Sequence, residues 1–447
     1  DRQQRNRAAP ACRTLAALVL GVANRAAALD LVLRLDPLEF VNNRRAQLAE
    51  VFWIKVIAQC PHGLGCIRTR RDRGDVDPFI VMDVMEAARK AEAAGRHIIH
   101  MEVGQPGTGA PEGARAALAD QLAEPLGYTV GLGLPALRAR IAQHYMEVYG
   151  LEVDPARVVI TSGASGAFLL AFSALFDNDE RVGLGLPCYP SYRQILKAVG
   201  LKAVEMPTTA AGRYQPQPSD VADFDLDGLI VASPANPTGT MLTRAELKAL
   251  ADACAAKGAA FISDEIYHGI SYDKETVTAL SVTDDVYVIN SFSKYFSMTG
   301  WRVGWVVVPA DHVRRVERLA QNMFICAPHA SQALALAAFD CKEELDSHLA
   351  VYAANRDLMV AGLTKAGLGK FAPPDGAFYV YVDVSDYTND ALAFSAEILE
   401  KAGVAVTPGL DFDPANGHKW LRLSYARSTA DITEGVARLT TFMKGRT

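Results

Sequence analysis

Lys294 lies in the run Ser291-Phe292-Ser293-Lys294-Tyr295-Phe296-Ser297-Met298-Thr299-Gly300-Trp301-Arg302, with two serines just before it and an arginine eight positions after. A lysine that must form a Schiff base needs partial desolvation and neighbouring positive charge, because both lower its pKa toward neutrality. The hydroxyls of Ser291 and Ser293 and the guanidinium of Arg302 suit a phosphate, which accepts several hydrogen bonds and a bidentate cation. Pyridoxal 5′-phosphate (PLP) needs both arrangements at once. A solvated lysine after a strand is the plainer reading of these twelve residues, so the rest of the chain must decide.

Two more runs precede the lysine. Ser233-Pro234-Ala235-Asn236-Pro237-Thr238-Gly239 and Ser263-Asp264-Glu265-Ile266-Tyr267 each follow an apolar, strand-like segment, with Asn236, Asp264 and Lys294 spaced 28 and 30 residues apart. Alone, the first reads as a turn and the second as a helix-capping pair. A further run, Thr161-Ser162-Gly163-Ala164-Ser165-Gly166-Ala167, passes from a strand through small residues into a helix, whose first backbone N–H groups can bind an anion.

The elements that must position these residues begin near Val76. Phe79 to Gly95 has the periodicity of a helix, and His97 to Val103 reads as a strand entering Gly104-Gln105-Pro106-Gly107. Strand-like and helical runs then alternate: 158–161 with 164–176, 182–186 with 191–199, 229–232 with 244–257, then 260–263 and 286–289, and 303–308 with one helix over 313–340. Such alternation argues an α/β fold with a mostly parallel sheet covered by helices on both faces. After residue 341 the pattern becomes helix 345–366, strand 377–382, helix 391–401, strand 420–423 and a last helix, a smaller α+β unit.

With these elements in view, the chain from 76 to 447 resembles the class I and II aminotransferases of PLP fold type I. The resemblance implies a large PLP-binding domain over 120–340 and a small domain made of 76–119 and 341–447. It also implies that Lys294 carries PLP covalently and shuttles a proton, and that Asp264 pairs with the pyridine nitrogen, keeping the ring an electron sink. Asn236 and Tyr267 match the residues that hydrogen-bond the ring oxygen, while Ala164, Ser165, Ser291, Ser293 and Arg302 match those around the phosphate. Tyr189 falls where the family stacks an aromatic ring on the cofactor. For the substrate, Arg422 matches the small-domain arginine that takes the α-carboxylate in a bidentate pair, with Gly104 and Asn236 close by. By strand alternation alone, Arg422 would be a surface residue. Tyr128 resembles the tyrosine that reaches the phosphate of a neighbouring subunit, which implies a homodimer with shared sites. Some aspartate-preferring members carry a lysine where this chain has Ser165, so strict aspartate specificity is not expected. The activity implied is ping-pong transfer of an amino group from an L-amino acid to a 2-oxo acid; a cysteine-conjugate β-lyase would use the same lysine, aspartate and arginine.

Composition bounds the alternatives. The 447 residues are 50% hydrophobic and 21% charged, the balance of an ordinary globular chain, and the net charge of −6 gives no support for a nucleic-acid-binding surface. No apolar run reaches the roughly 18 residues that would cross a membrane. Seven scattered cysteines without metal-ligand spacing speak against a disulfide framework or a zinc site and for a reducing, cytoplasmic setting. Residues 1–75 stand apart: twelve Arg and one Lys against seven acidic residues, no Ser, and three of the seven cysteines. This stretch reads as an upstream extension, non-native or poorly ordered; a targeting peptide or an extra module are the other readings. A regulator with a DNA-binding module ahead of an aminotransferase-like domain is the rival from a different class, but no helix-turn-helix pattern is found there.

Overall fold

The computed structural model describes residues 72–446, so the reading of the first 75 residues falls almost wholly outside the described part. Residues 72–447 cluster as one compact unit. Its strands in chain order are β1 (Ile99–His100), β2 (Val158–Thr161), β3 (Arg181–Leu186), β4 (Lys202–Pro207), β5 (Gly228–Ala232), β6 (Ala260–Asp264), β7 (Tyr287–Ser291), β8 (Gly304–Val307), β9 (Tyr379–Asp383), β10 (Val404–Ala405), β11 (Thr407–Pro408) and β12 (Trp420–Ser424).

Seven of them form one sheet in the order β2-β8-β7-β6-β5-β3-β4. All its neighbours pair in parallel except β8, which runs against both β2 and β7. Burial explains the run-like rather than alternating sequence of these strands, because both faces are covered. Val158, Ile160, Val288, Trp305 and Val307 point into one apolar core, and Val159, Ile262, Ile289 and Val306 into the other. A second, antiparallel sheet, β11-β12-β9, has a core of its own around Phe378, Val380, Val382, Leu421 and Leu423.

Local signals set many helix limits. Helix Arg244–Lys257 starts at a capping box in which Thr243 and Glu246 satisfy each other's backbone N–H, and stops at Gly258 in the left-handed region. The expected single helix over 313–340 is two, Val313–Phe324 and His329–Ala338. Pro328 cannot donate within a helix and disfavours helical backbone at the residue before it, and Ile325 adopts φ 65°, so the periodic apolar pattern is cut at that point. The strand expected over 97–103 shrinks to β1, and β4, a mostly solvated edge strand, was not expected at all. Helices Glu112–Gln121 and Pro135–Tyr149 likewise lie between the runs read from the sequence.

Candidate active site

The carboxyl ends of β5, β6 and β7 and the turn after β2 open on one cleft, the usual ligand crevice of a parallel sheet. Ala232 and Asp264 are register partners at these ends. The cleft holds about 1020 Å³ including its mouth, and Gly104, Ala164, Ser165, Tyr189, Asn236, Asp264, Tyr267, Ser291, Ser293, Lys294, Arg302 and Arg422 all line it. Tyr128 does not; its side chain is 82% exposed on the surface.

At one end the groups suit an anion. Helix Gly163–Leu175 begins here, and its N-cap residue Ser162 makes no side-chain cap, which leaves first-turn N–H groups free of a side-chain partner. Ser291 donates its hydroxyl to Ser293 Oγ at 2.9 Å, and Arg302 Nη1 reaches Ser293 Oγ at 3.4 Å and Thr299 O at 2.9 Å. Close packing requires Gly163 to be glycine: φ is +72°, and a Cβ would lie 2.4 Å from Arg302 Nη2.

Lys294 sits in the middle. Its Nζ donates to Gly104 O at 2.6 Å and stands 5.4 Å from the centre of the Tyr267 ring. Burial, with Arg422 and Arg302 adding to it, pushes the amine down to about 7, against the pull of Asp264. Asp264 is 2% exposed, and burial pushes its carboxyl up to about 6. The Tyr192 hydroxyl donates to Asp264 Oδ2, and the Ile266 amide to Oδ1 at 3.2 Å. A cation placed against this carboxylate would hold it ionised.

At the other end Arg422 is 3% exposed rather than on the surface, because both faces of β12 are covered. Its Nη1 donates to Asn236 Oδ1 at 3.1 Å and its Nη2 to Glu102 O and Thr407 Oγ1. The guanidinium lies 4.6 Å from the Tyr379 ring centre and 4.7 Å from that of Phe412. Its Nε is buried without a partner. An orphaned buried donor on a cation is costly, and a carboxylate would satisfy it. Gly104 packs so close to Tyr379 that a Cβ there would lie 1.9 Å from its hydroxyl.

Sequence reasoning missed Tyr192, Tyr379 and an apolar flank. Tyr379 and Tyr267 share a hydrogen bond between hydroxyls at 2.8 Å, and Phe79, Val81, Met82 and Met85 face the cleft from the first helix, Ile80–Ala93. Tyr379 falls in an apolar strand and looks like a core aromatic; Tyr192, three residues after Tyr189, carries no motif. Among the described residues, no group of three or more His, Cys, Asp or Glu is placed to hold a metal ion.

Residues 96–439 match the model of the family described as aminotransferase class I and II. The chain belongs to the class I and II aminotransferases. The valine–pyruvate aminotransferase of Mycobacterium tuberculosis is 47% identical over 374 residues, 82% of this chain and 96% of that protein. A solved structure from Silicibacter pomeroyi, assigned to the aminotransferases, is 67% identical with a TM-score of 0.81, covering 85% of this chain and all of that one. An aminotransferase structure from M. tuberculosis is 45% identical with a TM-score of 0.83 at the same coverage. This aminotransferase is therefore a transaminase of fold type I, moving an amino group from an amino acid to a 2-oxo acid.

Proposed function

We propose that this aminotransferase works with PLP and takes its amino group from a neutral amino acid, with a small 2-oxo acid such as pyruvate as acceptor. Support for the cofactor comes from the cleft itself, where uncapped helix N–H groups, two serines and Arg302 suit a phosphate and Asp264 suits a protonated ring nitrogen. Bound there, PLP would supply an electron-withdrawing ring and a carbonyl carbon that receives the amino group. Asp264, steadied by Tyr192, would keep the ring nitrogen protonated, and Tyr267 and Asn236 would donate toward the ring oxygen. Lys294 would hold the cofactor, and its amine is the group placed to take the proton from the substrate Cα and return it on the product side. Arg422 grips the α-carboxylate through the fork whose Nε has no partner.

The observation that carries this reading is a largely buried amine, pushed down to about 7, between a cradle for an anion and an arginine for a carboxylate. Support for a neutral donor comes from the valine–pyruvate relative and from the apolar flank. The test is to mix purified protein, loaded with cofactor, with each amino acid in turn and follow the visible absorbance. Conversion by neutral amino acids, abolished in Lys294→Ala, is expected; no conversion by any amino acid sinks the proposal. Pyruvate and ammonia released without an acceptor would instead mark a β-lyase.

The division into a large domain, 120–340, and a small one, 76–119 with 341–447, belongs to the same reading and is supported by the separate cores of the two large sheets. So does a homodimer: Leu122, Leu126, Tyr128 and Val130 are exposed along one segment, and a second copy would cover them. Sedimentation of the purified protein tests it, with a monomer as the contrary result. A reducing, cytoplasmic setting accords with Cys188, Cys254, Cys326 and Cys341 all being free.

A further inference from the structure

Helix Ile80–Ala93 supplies the apolar flank of the cleft, yet it does not cap itself. Its N-cap residue, Phe79, makes no side-chain hydrogen bond. The first-turn N–H groups are taken by a carboxylate from far along the chain: Asp411 Oδ1 accepts from Ile80 N at 3.0 Å, and Oδ2 from Val81 N at 2.9 Å. Asp411 is 4% exposed and uses both oxygens on these two donors. A negative group there also meets the positive end of the helix.

Asp411 closes the short turn Gly409–Asp411, and the stretch around it makes further contacts near the substrate end. Arg193 Nη2 donates to Asp411 O at 2.8 Å. The next residue, Phe412, lies against the Arg422 guanidinium, and its carbonyl accepts from Cys188 N at 3.0 Å, one residue ahead of Tyr189. The group that would hold the substrate carboxylate and the flank that would meet its side chain are thus fastened to one turn. The far end of the helix has its own ties: His100 Nε2 to Glu92 Oε1 at 2.9 Å, and Arg96 to Leu399 O at 2.9 Å.

We propose that Asp411 is a positioning residue for substrate selection, setting the apolar flank of Phe79, Met82 and Met85 at a fixed distance from Arg422 so that the site prefers aliphatic side chains. This rests on the transaminase reading above and deepens it. The charged residues lining the cleft are Asp264, Lys294, Arg302 and Arg422, all at its cofactor and carboxylate ends. Among the described residues, none that lines the cleft is left to pair with a charge on the substrate side chain, whose burial would be costly. Methionines adapt to branched and unbranched aliphatic groups alike.

The test is steady-state kinetics of the cofactor-loaded protein with alanine, valine, leucine, aspartate and arginine as donors, for the wild type, Asp411→Ala, Asp411→Asn and Met85→Ala. In Asp411→Ala, kcat/KM for valine and leucine is expected to fall by roughly 5- to 30-fold, what a lost helix cap of typical to large cost gives. Alanine, whose methyl group is too short to lean on the flank, should change less than about 3-fold, a small fraction of that span, with unchanged cofactor absorbance. Asp411→Asn keeps one acceptor and should fall between. Met85→Ala leaves the cap alone and should lower valine and leucine against alanine by roughly 3- to 10-fold, the scale of a few lost methylene contacts. Equal losses for alanine and valine in Asp411→Ala would overturn the positioning role alone. Wild-type turnover confined to aspartate or arginine would overturn the aliphatic preference whatever Asp411 does.

Discussion

The polar floor of the cleft and its apolar flank are held by different means. On the floor, Asp264, Asn236, Ser291 and Ser293 stand at strand ends in the middle of the large sheet, none more than 8% exposed. On the flank, Met82 is 55% exposed and Phe79 and Met85 are half-buried, on a helix whose start hangs on one carboxylate. The difference follows from what each must do. Shifting a lysine toward neutrality requires desolvation by rigid neighbours, whereas sorting side chains by shape needs only contact, which a helix face can give while half in water. The chemistry is therefore fixed by the sheet, and the choice of substrate by a part that can be altered without disturbing it.

The contrast is broken most severely at the floor. Lys294→Ala should lower turnover on the order of 10³-fold or more for every donor, as loss of both anchor and proton carrier implies; single-turnover absorbance with valine and alanine would check it. Arg422→Ala comes next. Removing the buried cation that meets a carboxylate common to all donors should cost roughly 10²- to 10³-fold in kcat/KM, and equally for alanine and leucine, unlike any change on the flank. Unequal losses would mean that Arg422 also shapes the side-chain pocket.

Smaller changes sharpen the comparison. Tyr192→Phe removes the O–H donor to Asp264, and cofactor affinity should weaken by roughly 10-fold, the scale of one hydrogen bond to a charged group, as measured by cofactor titration, with the order of donor preference intact. The pH response should leave the range above pH 7 untouched. Because the Lys294 amine is pushed down to about 7, it is neutral above that pH and protonated below it. Capture of added cofactor by the cofactor-free protein should therefore be flat above pH 7 and fall about tenfold per unit below it, since only the neutral amine is a nucleophile. A continued rise toward pH 10 would mean an unshifted lysine.

Much of the floor was legible because its residues follow apolar strands: Asn236, Asp264 and Ser291 each lie at or just past the end of an apolar run, and position at a strand end carries the geometry. The direction of β8 was not, since four apolar residues do not encode which way a strand runs. Arg422 misled alternation, which assumes one solvated face. Tyr192 and Asp411 left no trace, because each acts on a group 72 or 331 residues distant, and nothing in either local sequence names its partner. The break at 325–328 was hidden by apolar residues that keep helical spacing on both sides of it.

The reversal of β8 bears on how the molecule comes together. Since β7 and β8 run antiparallel and adjacent, the segment bearing Lys294 and Arg302 is a loop closed between neighbours in sequence, and its closure loses little chain entropy. The cap on the first helix is the opposite case, joining positions 331 residues apart. During synthesis Ile80 emerges early and Asp411 near the end, so this helix has no seat until almost the whole chain exists. Lys294 and Arg302 can meet long before the flank that sorts their substrates is in place.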